Sequence, residues 1–203
     1  MFSHSSVLRK KYFANAAGGF SLVELLVSIG IVVLVLSIVV ARQQAFNSAV
    51  LLRSQAYEIA LAMREVQLGA ISSVGDGSGD FRSVQGAYFN TVDPDNQEYR
   101  LFRDGTPSNR FPDAGEDIGL SGVLDPRFEI RDIEPSSVGS DVAIVFRRPN
   151  FDAQFITDDT GAEAFVPAVT LTIAAKGAPG NVCGQDIRQI EIRATGQIAV
   201  LEC

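Results

Sequence analysis

Between Phe20 and Ala41 the chain carries one charged side chain, Glu24, in a run otherwise made of Leu, Val, Ile, Ala, Ser, Gly and the opening Phe20. At about 1.5 Å per residue, a helix over this run is roughly 33 Å long, enough to cross the hydrocarbon core of a bilayer. An acidic side chain inside such a segment costs on the order of 2 to 4 kcal/mol on insertion scales, and more if it stays unpaired. No other residue of the run can neutralise it. A partner for Glu24 therefore has to come from another chain or be created by processing.

The flanking residues point to processing. Residues 1 to 19 hold Arg9, Lys10 and Lys11 but no acid, and they end in small residues, Ala16-Ala17-Gly18-Gly19. The basic side of an apolar span stays in the cytoplasm. A secretory signal peptide is cut beyond its apolar region, whereas here the small residues precede it. Cleavage after Gly19 would leave the helix attached and expose a new amine on Phe20, one helical turn from Glu24. Two plainer readings stand beside this one. In a simple single-pass anchor Glu24 is incidental, which leaves an ionisable group in lipid without use. A conventional signal peptide would be cut near Ala41 or Ala45.

The coincidence of basic leader, Gly19, Phe20, Glu24 and apolar run resembles the class III signal of type IV pilins and type II secretion pseudopilins, over residues 9 to about 70. The resemblance implies that a membrane-embedded prepilin peptidase cuts after Gly19 and methylates the amine of Phe20. It also implies that Glu24 meets the Phe20 amine of a neighbouring subunit during assembly. The partners expected on this basis are prepilin peptidase, other pilin or pseudopilin subunits and the inner membrane, with the N-terminus cytoplasmic and the globular domain periplasmic or extracellular.

The domains expected are a leader over 1–19, a transmembrane helix over 20–41, an amphipathic continuation over 42–71 and a β-rich globular domain over 72–203. No proline occurs before Pro94, and Gly30 and Gly69 are the only glycines between Phe20 and Ala70, so nothing obvious breaks a long helix. Beyond Arg42, apolar residues recur at Ala49, Leu52, Ala56, Ile59, Ala60, Met63, Val66 and Ala70, the spacing of one helical face, with Arg53, Glu58 and Arg64 off that stripe. Ile71 to Asp80 reads as a loop. Asp76 and Asp80 there, with Asp93, Asp95 and Glu98, lack the ordered ligand pattern of a calcium loop.

From Val84 onward the pattern is β. Strands are expected at 86–92, 98–103, 127–133, 141–147, 168–174, 189–193 and 197–201, with Ala194-Thr195-Gly196 as a hairpin turn. One long helix followed by antiparallel strands gives an α+β fold. A terminal hairpin following the Phe-Arg-Arg-Pro turn at 146–149 is similar to that of GspH/FimT-type minor pseudopilins, the subfamily the chain most resembles.

Chemistry is sparse. The sole histidine, His4, lies in the leader, no Gly-x-Ser-x-Gly elbow occurs, and the acid pairs Glu116-Asp117 and Asp158-Asp159 read as solvated turns. No enzyme activity, metal or cofactor is expected. Cys183 and Cys203 are the only cysteines; a disulfide between them would tether the C-terminal tail, an arrangement an extracytoplasmic location permits, and separate thiols are the alternative. The formal charge of −7 becomes −10 once Arg9, Lys10 and Lys11 are removed, which disfavours nucleic acid. DNA-binding minor pilins carry Gly-Arg-x-Arg in the final hairpin, where this chain has Gly196-Gln197-Ile198-Ala199, although Arg147, Arg148, Arg188 and Arg193 remain available to gather on one face. The reading that results is a minor subunit of a type II secretion pseudopilus or a type IV pilus. The alternatives are a DNA-uptake pilin and an adhesin using the loops from Asp93 to Pro126.

Overall fold

The computed structural model describes residues 19–72, 84–105, 108–119, 121–146, 151–177 and 186–201. Residues 1–42 and 43–203 form separate compact units. One helix, α1 (Leu22–Ile71), contributes to both. In the first unit, Leu22–Val40 has a mean hydropathy of 2.9 and none of its length is buried. The helix starts two residues later than the sequence spacing predicts because Ser21 caps it, its Oγ accepting from the Glu24 N–H at 3.2 Å.

In the second unit the anticipated stripe is the packed face. Leu52, Ala56, Ile59, Ala60, Met63, Val66 and Ala70 are all buried. Each large side chain removed from water in this way stabilises the fold by about 1.5–3 kcal/mol. Amphipathicity is incomplete, since Val50, Tyr57, Leu61 and Leu68 stay exposed on the other side. The helix ends where Ser72 donates its N–H to the Leu68 carbonyl at 2.9 Å. Near that end Gly69 admits the buried Gln85 side chain, whose Oε1 would lie 2.3 Å from any Cβ at that position. The predicted loop with Asp76 and Asp80 falls outside the described residues, and only its first two positions, Ile71 and Ser72, are seen.

Among the described residues ten strands follow, all paired antiparallel: β1 (Gln85–Asn90), β2 (Glu98–Arg103), β3 (Gly122–Val123), β4 (Phe128–Glu134), β5 (Asp141–Phe146), β6 (Ala153–Ile156), β7 (Glu163–Ala164), β8 (Ala168–Ala175), β9 (Ile187–Arg193) and β10 (Ile198–Leu201). All seven expected strands form, and β3, β6 and β7 are additions. A six-stranded sheet has the order β3-β2-β1-β5-β6-β7, and a four-stranded sheet the order β10-β9-β8-β4. The fold is α+β. The buried helix face joins the inner residues of both sheets, among them Phe89, Leu101, Ile144 and Phe155 from the first and Ile130, Leu171, Ile190 and Ile192 from the second, in one core.

A smaller apolar cluster lies on the other face of the six-stranded sheet, formed by Val84, Phe102, Ala143, Val145 and Ile156 with Tyr88 and Phe111 against them. This explains why β5 is buried from Val142 to Phe146 without alternation. Phe111 belongs to the loop after β2, and that loop is pinned. The buried Asp104 accepts from the Arg110 N–H at 3.1 Å and from the Ser108 hydroxyl. Glu116 accepts from the N–H groups of Gly105 and Asp113 at 2.7 and 2.9 Å.

Candidate functional site

The start of the apolar helix combines three of the residues singled out in the sequence. Gly19 and Phe20 precede α1, Phe20 is 79% exposed, and open space surrounds the position a Gly19 Cβ would take. Ser21 is the cap, and Glu24 sits three residues on, in the first turn, where a negative side chain also meets the positive end of the helix dipole. Ser-Leu-Val-Glu is the spacing of a capping box. The Ser21–Glu24 spacing is a sequence signal for this helix start.

The polar groups further along the span are satisfied internally. Ser28 and Ser37 donate their hydroxyls to carbonyls one turn back, to Glu24 O at 2.7 Å and Val33 O at 2.8 Å. Among the described residues the Glu24 carboxylate has neither an ion pair nor a hydrogen bond. It is the unbalanced charge of the segment. In water such a group is unremarkable; in lipid it needs a cation.

Other sequence-predicted residues are dispersed. Cys183, Cys203, Arg147 and Arg148 lie outside the described residues. Arg188 and Arg193, five positions apart on the unbroken ladder of β9, project to opposite faces of the sheet, so these two do not gather. Arg193 is also engaged by Glu191. The acid pairs are more than solvated turns: besides the Glu116 contacts, Asp117 holds Arg100 with distances of 3.0 and 3.2 Å, and Asp158 accepts from Thr160 and Ala162 in a tight turn. Those contacts hold the Asp158 carboxyl below the usual carboxylate range, the Thr160 hydroxyl contributing most.

Sequence reasoning missed a second assembly on the outer face of the six-stranded sheet. The β1–β2 register sets Tyr88 opposite Arg100, and Glu98 follows two residues along on the same face. The loop after β2 lays Phe111 edge-on to Tyr88, with ring centres 5.2 Å apart and planes at 75°. These residues, with Asp95 and Pro112, line a cleft of about 250 Å³. The Tyr88 hydroxyl donates to Asp141 at 3.1 Å and accepts from Asn90 at 3.2 Å. Burial, and then the Asp141 charge, push its phenol up to about 12, so it stays protonated.

No protein-family model matches the chain, and no curated protein does. Among solved structures it is similar to the minor pseudopilin EpsH from the Type 2 Secretion System of Vibrio cholerae, with 14% identity, 74% of this chain and 95% of that one covered, and a TM-score of 0.37. A likeness at that level carries no argument by itself, and the functional reading rests on the residues at the head of α1.

Proposed function

We propose that this chain is a prepilin-like minor subunit, cut after Gly19 by prepilin peptidase, methylated on Phe20 and assembled through its apolar helix into a type II secretion pseudopilus or a type IV pilus. One observation carries the reading: an unpaired carboxylate, Glu24, stands in the first turn of a helix whose Leu22–Val40 span is apolar and wholly exposed, four residues after the residue a cut at Gly19 would make the N-terminus.

The physical sequence is short. Inserted alone, the span carries a charge that lipid penalises. Cleavage makes an amine on Phe20, and in a stack of subunits the amine of one helix neutralises the carboxylate of the next. Because a misplaced neighbour would leave both charges bare, the pair sets the axial register while Leu22, Leu25, Leu26, Ile29, Ile31 and Val32 supply apolar contact. The basic leader would hold the N-terminus in the cytoplasm until the cut, leaving the sheets on the far side of the inner membrane.

Intact-mass measurement on chain extracted from membranes that contain active peptidase tests this. The expected species begins at Phe20 and carries one added methyl group, and Gly19→Ala leaves the full-length chain. A full-length wild-type species under those conditions overturns the proposal.

A further inference from the structure

The cleft on the outer face of the six-stranded sheet has a chemistry the assembly role does not use. One wall is apolar and rigid: Tyr88 and Phe111 in edge contact, and the buried Pro112 beside them. The rest is acidic. Asp95, from the 3₁₀ turn Asp95–Gln97, and Glu98, which opens β2, are exposed, and among the described residues neither side-chain carboxylate has an ion pair or a hydrogen bond. Asp95 lies close enough to Tyr88 for its charge to oppose ionisation of the phenol.

Among the described residues, the one cation in the lining, Arg100, is already engaged. Its Nε and Nη2 hold both oxygens of Asp117, and Nη2 also reaches the Asp113 carbonyl at 3.4 Å. Among the described residues, an anion entering the cleft would find no free positive group, only Asp95, Glu98 and, behind the Tyr88 hydroxyl, Asp141. A divalent metal is no better served, since among the described residues no three His, Cys, Asp or Glu side chains converge as ligands. What remains is a ligand with a positive head, to meet two unpaired carboxylates, and an apolar body to lie along aromatic and proline surfaces. A guanidinium also stacks favourably on such rings.

We propose that this cleft binds a guanidinium or ammonium group on an aliphatic stem, presented as an arginine or lysine side chain by a partner protein. The strongly acidic chain draws such a partner in over a distance, and the cleft supplies the local fit. The loop that completes it is fastened at Asp104 and Glu116, so the site is preformed.

The test is a titration of the full chain in detergent micelles with a capped Gly-Arg-Gly peptide, its citrulline counterpart and butylguanidinium, followed through the ring resonances of Tyr88 and Phe111. Saturable binding of the arginine peptide is expected, with the uncharged citrulline peptide at least about fivefold weaker. Glu98→Gln, an exposed change that leaves packing intact, weakens the arginine peptide about three- to tenfold, and Phe111→Ala does the same by removing a wall. Equal affinity for arginine and citrulline, no saturable binding, or an unaltered affinity in Glu98→Gln overturns the proposal. Butylguanidinium held more tightly than the peptide overturns the assignment to a protein side chain. None of these readouts depends on cleavage at Gly19 or on assembly.

Discussion

Replacing Gly196 by alanine tests how the last hairpin is fastened to the helix. Gly196 has φ +80°, and a Cβ there would lie 1.9 Å from the Phe151 carbonyl oxygen. That oxygen and the Gly196 carbonyl both accept from the Gln67 amide of α1, at 3.2 and 2.8 Å. Alanine in a left-handed conformation costs about 1–2 kcal/mol. Moving Phe151 aside weakens two further hydrogen bonds, each worth about 0.5–1.5 kcal/mol. The sum is roughly 2–5 kcal/mol, a fall in Tm of roughly 5–15 °C for a domain of this size. Gly177→Ala is the control: its φ is +70° but nothing lies within 4 Å of its added Cβ, so the backbone cost alone remains. Thermal melts of the two full-length variants in detergent, followed by the sheet signal in circular dichroism, give the comparison. Gln67→Leu should destabilise the native chain by about 1–2 kcal/mol and add little to Gly196→Ala, because neighbours that share an interaction are not additive. Equal shifts from both glycine variants, or full additivity with Gln67→Leu, would refute the clamp.

Leu52→Ala removes a side chain that is 0% exposed and is expected to cost about 3 kcal/mol in urea unfolding, whereas Leu61→Ala, at a position 62% exposed, changes the isolated chain by less than about 0.5 kcal/mol. Asp104→Ala frees the loop over the outer sheet face, and amide exchange at Ile118, bonded to the Leu101 carbonyl, is expected to quicken by about ten- to a hundredfold. Tyr88 is expected to ionise near pH 12 in an ultraviolet titration compared with Tyr88→Phe. Because its folded pKa is raised, the stability it contributes is present below the unfolded value of about 10 and is lost as pH rises from there toward 12. Wild-type and Tyr88→Phe chains losing stability equally over that window would refute the assignment.

The helix and the strands were legible because their signals are local. Between Leu52 and Ala70 the apolar spacing named the buried face residue by residue, and Val169 to Ile173 alternates visibly. β3 and β7 were not legible, being two-residue pairs with no period to read, and β6 is a short Ala-Gln-Phe-Ile segment held by its neighbours. The division into two sheets was hidden for a different reason. It depends on β1 lying between β2 and β5 and on β4 pairing with β8, and these pairings separate partners by up to about sixty positions in the chain. The acidic cleft shares that origin. Tyr88, Glu98 and Phe111 meet only through strand register and a folded-back loop, and no spacing in the sequence announces them.

Glu24, by contrast, was conspicuous in the sequence, and what its backbone does can be tested apart from what its carboxylate does. Its backbone N–H closes the cap with Ser21, a contact that survives any side chain at position 24, and loss of the cap in Ser21→Ala costs about 1 kcal/mol of helix start. Its carboxylate does nothing within the described chain. If the residue were present only to complete a capping box, glutamine would serve equally, since that position accepts Glu or Gln. If it exists to meet an amine in lipid, glutamine removes the charge and leaves the neighbour's amine bare, a loss of about 3–5 kcal/mol per contact. Glu24→Gln is therefore expected to be cleaved normally and to keep its helix in micelles while failing to enter the filament. The measurement is the fraction of processed subunit that pellets with sheared or extracted filaments. Wild-type levels of the glutamine variant in that fraction would reduce Glu24 to a capping residue and remove the charge pair from the mechanism.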